Sequence, residues 1–187
     1  MVIYLIFVFS IALHELSHYI IGKIMHVNFK MFKLTIFGFS NKELRMSGMK
    51  NLNRIMIFLA GPLMNLLISF LFININCSYQ SVIVFTNVFL AILNLLPVIP
   101  LDGGNVLICV LRYKFDLKKS LIISLIISKV ILILLSIIYS LIILFVKNIW
   151  ILFLIIYLWY IYIKEEYNFK LLFKTKSKIE KILPLVI

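Results

Sequence analysis

Between residues 121 and 146 the chain runs through 26 positions with a single charged side chain, Lys129. As a helix rising ~1.5 Å per residue, this stretch is about 39 Å long, more than the ~30 Å hydrocarbon core of a bilayer. A segment so long and so apolar has no place in a water-soluble domain of 187 residues, and the rest of the chain agrees with it. Hydrophobic residues make up 64% of the whole and charged residues 14%, where soluble domains are about a quarter charged. The mean hydropathy is +1.13. Lipid is therefore the main solvent of this fold, and in lipid only helices or closed barrels satisfy their own backbone.

Four more apolar runs have the character of spans: 1–22, 55–75, 81–100 and 149–163. The run 81–100 is broken near its end by Asn94, Pro97 and Pro100. The short run 149–163 carries Trp150, Trp159, Tyr160 and Tyr162 near its ends, aromatics of the kind that sit at membrane interfaces. The expected fold is an all-α integral membrane protein, a polytopic bundle of about five transmembrane helices, with residues 1–163 as the membrane domain. Residues 164–187 mix lysines with Leu171, Leu172, Phe173, Ile179 and Ile182, a pattern that predicts an amphipathic cytoplasmic tail. The connection 27–54 alternates roughly through Ile36, turns at Gly38 and Ser40-Asn41, and resumes over 43–49, which predicts a small cytoplasmic β-hairpin between the first two spans.

The 19 Lys+Arg against 7 Asp+Glu would suit a nucleic-acid binder if they gathered on one surface, but they alternate along the chain instead. Seven lie between the first two spans, from Lys23 to Arg54, and none between the second and third; four follow between the third and fourth, one (Lys147) before the fifth, and six after Ile163. The positive-inside rule then places this multi-pass chain in the cell membrane with its N-terminus outside and its basic connections and C-terminus cytoplasmic. The excess charge reports topology and contact with anionic lipid, and no nucleic acid is expected as a partner. Lys129 can snorkel to the interface. Cys77 and Cys109 lack CxxC spacing and read as packing residues.

Within the first span stands His14-Glu15-Leu16-Ser17-His18. The i, i+4 spacing puts both imidazoles on one helix face, where neutral nitrogens can share one Zn2+, and Glu15 beside them is placed to take the proton of an attacking water. Chance puts such a motif in roughly one chain in a thousand of this composition. Ionisable groups inside a membrane helix are expensive unless they pair or function; a buried polar network holding helices together is the other explanation. Catalytic zinc takes three protein ligands and keeps one position open. Asp102 is the sole acidic residue between Glu43 and Asp116, and the topology carries it to the cytoplasmic side, where His18 also lies. Around it Pro97, Pro100, Gly103 and Gly104 break the helix, which a membrane tolerates only where backbone is buried in protein or lines a cavity. The plainer alternative for Asp102 taken alone is a helix cap or turn residue.

These motifs, with the run from Asn94 to Leu101-Asp102-Gly103 and with Ala60-Gly61-Pro62-Leu63-Met64-Asn65, resemble the site-2 protease family of intramembrane zinc metalloproteases, peptidase family M50. The run 87–107, Glu165-Glu166-Tyr167 and the Lys181-Ile182-Leu183-Pro184-Leu185 end are similar to the sporulation branch of that family, which releases a sigma factor from a membrane-tethered precursor. The resemblance implies one Zn2+ per chain on His14, His18 and Asp102, Glu15 as catalytic acid/base, and Asn94 touching substrate or steadying the oxyanion. It also implies a sigma-factor precursor as substrate and inhibitory membrane proteins as partners. Gly61 and Pro62 have a plainer explanation in close helix packing and a helix start, and His26 reads as interfacial. The branch's extra leading span and nucleotide-sensing CBS domain, and the PDZ domain of another branch, are not expected here, with 13 residues before His14 and an end at Ile187. The rival class is a metal-binding membrane scaffold or transporter, which has no need of a non-ligand Glu15 between its histidines.

The alternating charges make a direct prediction. A reporter fused at the C-terminus or between Lys42 and Lys50 is expected to behave as cytoplasmic, and one between Asn76 and Gln80 as external. An external C-terminus would show that 149–163 does not cross.

Overall fold

The computed structural model describes residues 1–27, 49–146 and 149–182, by backbone alone at 142–146, 149–151 and 172–182. These residues form α1 (Val2–Ile24), α2 (Asn51–Phe72), α3 (Gln80–Leu95), α4 (Asp102–Leu111), α5 (Leu117–Val146) and α6 (Ile149–Ile182), with no strand among them. The chain is a helical membrane protein. The β-hairpin expected in the connection 27–54 falls almost wholly on 28–48, outside the described residues.

Lipid inverts the usual helix pattern. The buried residues of α1 are Ser10, His14, Ser17, His18 and Gly22, while Ile3, Tyr4, Leu5, Phe9, Leu16 and Ile20 face outward. Apolar side chains gain nothing by leaving lipid, so the polar and small residues turn inward, where they find partners and let backbones approach. α2 sits at the centre, packed against α1, α3 and α4.

Three helices among the described residues are long and apolar enough to cross a bilayer: α1, α2 and the Leu117–Leu141 part of α5. The break expected near the end of the run 81–100 falls after Leu95. α3 stops after 16 residues, about 24 Å, because Pro97 can neither donate a helical hydrogen bond nor leave its predecessor helical; Leu96 accordingly turns extended, with φ −56 and ψ 133. α6 runs unbroken for 34 residues from the apolar 149–163 into the charged tail. There Tyr162, Glu165 and Phe169 face inward at helical spacing, while Lys164 and Tyr167 face out.

The turn 96–101 links α3 to α4 and is held from both sides. Val98 packs with Leu132, Leu158 and Tyr162; Ile99 packs with Ile108, Leu121 and Phe169. Its polar backbone is answered within the protein: the Ile99 N–H donates to Ser128 Oγ at 3.0 Å, and Asn105 Nδ2 donates to the Pro100 and Leu101 carbonyls at 3.0 and 3.1 Å. The Ile99-Pro100 peptide is cis. The turn folds so closely over the start of α4 that a Cβ on Gly104 would lie 2.5 Å from the Val98 carbonyl oxygen, and one on Gly103 would strike that of Leu95. Glycine at both positions is a steric requirement of placing Asp102.

Two expectations change. Arg54, counted among the surface charges of the first connection, is buried at 2% exposure on α2. Cys109 packs in the core, but Cys77, read as a packing residue, is exposed after α2.

Two serines on the same face of α5 are expected to differ. Ser128→Ala removes the acceptor of the buried Ile99 N–H and should cost about 1–3 kcal/mol of stability. Ser124 Oγ is buried with no hydrogen-bond partner among the described residues, so Ser124→Ala should be neutral or stabilising. Thermal unfolding of the purified variants in detergent compares the two.

Candidate metal centre

His14 and His18 stand one turn apart on the inward face of α1, with rings nearly perpendicular and centroids 4.8 Å apart. Asp102 enters from the first turn of α4, where a helix N-terminus favours a carboxylate. Its Oδ2 lies 3.1 Å from His14 Nε2 and 3.1 Å from His18 Nε2, and the two Nε2 atoms are 3.2 Å apart. The three atoms make a nearly equilateral triangle, and all three side chains are buried.

The outer nitrogens decide what this triangle can hold. His18 Nδ1 is 2.7 Å from the Ile57 carbonyl oxygen, which can only accept, so Nδ1 carries the proton and Nε2 the lone pair. His14 Nδ1 donates likewise to Asn65 Oδ1 at 2.6 Å. With both imidazoles neutral, three lone-pair atoms converge and none can donate to another. A single proton placed among them bridges one pair and leaves the third atom facing a lone pair, whereas a metal ion satisfies all three. A tetrahedral ion with bonds of about 2.0–2.1 Å separates its ligand atoms by roughly 3.3 Å, which the triangle's edges match. The donor set of two imidazoles and a carboxylate suits zinc.

Sequence reasoning brought His14, His18 and Asp102 forward, and the fold brings these three together. Glu15 is half-buried and lines, with His14 and Asp102, a cavity of about 160 Å3 whose wall also includes Phe7, Leu93, Asn94 and Tyr157. Asn94, on the wall of the same cavity, donates from Nδ2 to the Leu90 carbonyl at 3.0 Å, and its amide has a second N–H and an acceptor oxygen besides. His26 is exposed at the end of α1 with φ 57 and stays outside the triangle.

Gly61 was explained by helix packing, and its surroundings are more specific. A Cβ there would lie 2.5 Å from His14 Nε2 and nearer still to His18 Nε2. Only a bare α-carbon fits against the ligating nitrogens. The missing side chain also opens the way to the Ile57 carbonyl, one turn earlier on α2, that orients His18. Asn65, Asn87 and Ser10 were not read as part of the site. The available signal was their polarity inside apolar spans, together with the placement of Ser10 one turn before His14.

A metal-free chain is expected to gain about one zinc on titration. His14→Ala, His18→Ala and Asp102→Ala should each lose most of it, and Gly61→Ala should weaken binding about 10–100-fold by displacing the pinned rings. Elemental analysis and chelator competition on the purified variants check this; wild-type affinity in Gly61→Ala would contradict the close approach.

Comparison with known proteins gives one family. The model of peptidase family M50 matches residues 73–138, about a third of the chain. The matched stretch contains Asn94, Asp102 and the two glycines after it, and it begins well after His14 and His18, which it does not include. No curated protein matches the chain. The match supports a membrane metalloprotease, and it falls on the turn and helix that deliver the third member of the triangle.

Proposed function

We propose that the chain is an intramembrane zinc metalloendopeptidase of the site-2 protease type, cutting a membrane-associated protein substrate at the cytoplasmic side of the bilayer. The observation that carries this reading is the triangle of three lone-pair atoms 3.1–3.2 Å apart with a non-ligand carboxylate beside it. His14, His18 and Asp102 would hold the zinc, which when bound would supply Lewis-acid polarisation of the scissile carbonyl. Glu15 takes the proton of the attacking water and later returns it to the leaving amine. Asn94, on the same cavity wall, offers an N–H and a carbonyl to the peptide backbone of the substrate. The apolar remainder of the wall, with Phe7, Leu93 and Tyr157, excludes bulk water from these groups and accepts apolar side chains.

The finer features follow the same reading. The chain crosses the membrane five times, with α3 and the first part of α6 completing the set, its N-terminus outside and its C-terminus cytoplasmic. The substrate is a membrane-tethered sigma-factor precursor of a sporulating cell, held in check by inhibitory membrane proteins. The similarity of 87–107 and Glu165-Glu166-Tyr167 to the sporulation branch supports this choice.

Glu15→Gln keeps the side chain's size and all three ligands. It should hold zinc at wild-type stoichiometry while cleavage of a co-expressed membrane-tethered precursor falls about 10²–10⁴-fold. Unchanged cleavage would remove Glu15 from the chemistry; zinc binding with no cleavage by either form would favour a scaffold.

A further inference from the structure

The two histidines reach the same tautomer by different means. His18 is set in one step, by a backbone carbonyl that can only accept. His14 faces the side-chain amide of Asn65, which has an acceptor at one end and a donor at the other and could present either. Something has to hold that amide in one orientation, and the hydrogen bonds beyond it do so.

Asn65 Nδ2 donates to Asn87 Oδ1 at 3.0 Å. Asn87 in turn spends both N–H groups elsewhere, on the Ile83 carbonyl at 2.9 Å and on Ser10 Oγ at 3.1 Å. The Ile83 carbonyl is the fixed end of this chain. Because it only accepts, it holds Asn87 with Oδ1 toward Asn65; Asn65 must then donate to Asn87 and accept from His14, and His14 must carry its proton on Nδ1. Asn65 and Asn87 have 0% exposure, so bulk water does not compete at either link.

We infer that Asn87, acting through Asn65, is a positioning residue that keeps the His14 Nε2 lone pair turned toward the metal. This deepens the metalloprotease reading above and rests on it. Asn87 lies on α3 and contacts neither the triangle nor the cavity chemistry. With its acceptor removed, Asn65 is released to turn its N–H toward His14; the proton of His14 then moves to Nε2 and one of the three ligating lone pairs is lost.

The test is zinc affinity of the purified full chain, measured by chelator competition in detergent. Asn87→Ala is expected to bind zinc about 10–100-fold more weakly than wild type, the range found when an outer partner of a metal-bound histidine is lost. Adding Asn65→Asp to Asn87→Ala should bring affinity back to within a few-fold of wild type, because a carboxylate accepts at both oxygens and cannot turn a donor toward His14. A residue that merely filled space would not be rescued by a change at its neighbour. Asn87→Asp covers the case in which the alanine variant does not fold: burial keeps its carboxyl protonated, so one oxygen donates to the Ile83 carbonyl while the other accepts from Asn65, and zinc should stay within a few-fold of wild type. Wild-type affinity in Asn87→Ala, no gain in the double variant, or a loss in Asn87→Asp as great as in alanine overturns the relay while leaving the metal reading intact. Wild-type chain that takes up no zinc, or His14→Ala that keeps it, overturns both.

Discussion

Three atoms that repel one another lie within 3.2 Å at the centre of this fold, and the surrounding protein is arranged to keep them there. In a medium of low dielectric, converging lone pairs are costly, and no part of the triangle relieves another. The cost is met by fixing each ligand from outside. The Ile57 carbonyl holds one ring and Asn65 the other, while the turn before α4 holds the carboxylate. Gly61 is the counterpart of these constraints, an absence of side chain where the rings come nearest α2. Each of the three side chains is thus fixed from outside in the arrangement that a tetrahedral cation takes.

Membrane surroundings explain why so much hydrogen bonding is spent on so few groups. An interruption of helix at 96–101 in a lipid-facing position would strand backbone groups with nothing to bond. Here the break is enclosed between α5 and α6, with Val98 and Ile99 buried in separate apolar clusters. Ser128 and Asn105 answer the backbone that the two prolines leave unpaired. Asp102 inherits its position from this turn: the residues that seal the break also aim the third member of the triangle.

The sequence made the chemistry legible because its residues are the rare ones. His14, Glu15, His18 and Asp102 are ionisable side chains in apolar runs, and the spacing of the two histidines maps directly onto one helix face. The supporting groups were harder to read for a physical reason. Ser10, Asn65 and Asn87 lie on three different helices and acquire meaning only when those helices pack, and the carbonyls of Ile57 and Ile83 have no sequence signature at all. Gly61 stood within a recognised run of residues, yet small residues serve ordinary helix contacts so often that its nearness to both imidazoles could not be singled out. The spans were placed well where the runs were long and uninterrupted. The break before Asp102 was legible too, from Pro97 and Pro100, but the exact end of α3 at Leu95 and the unbroken course of α6 through apolar run and tail were not, since helix ends depend on packing as much as on hydropathy.

Each part of the site comes from a different element, and this ties the chemistry to assembly. α1 alone carries two ligands and Glu15, but its rings are oriented only when α2 supplies Asn65 and the Ile57 carbonyl, and α2 in turn depends on Asn87 of α3. The carboxylate arrives with α4, behind a turn that α5 and α6 close over. An isolated α1 hairpin or an incompletely inserted chain therefore has the histidines and the glutamate without a competent centre. Under the proposed function that dependence limits cleavage to the fully packed bundle, and it would make zinc affinity a sensitive measure of packing at positions that do not touch the metal.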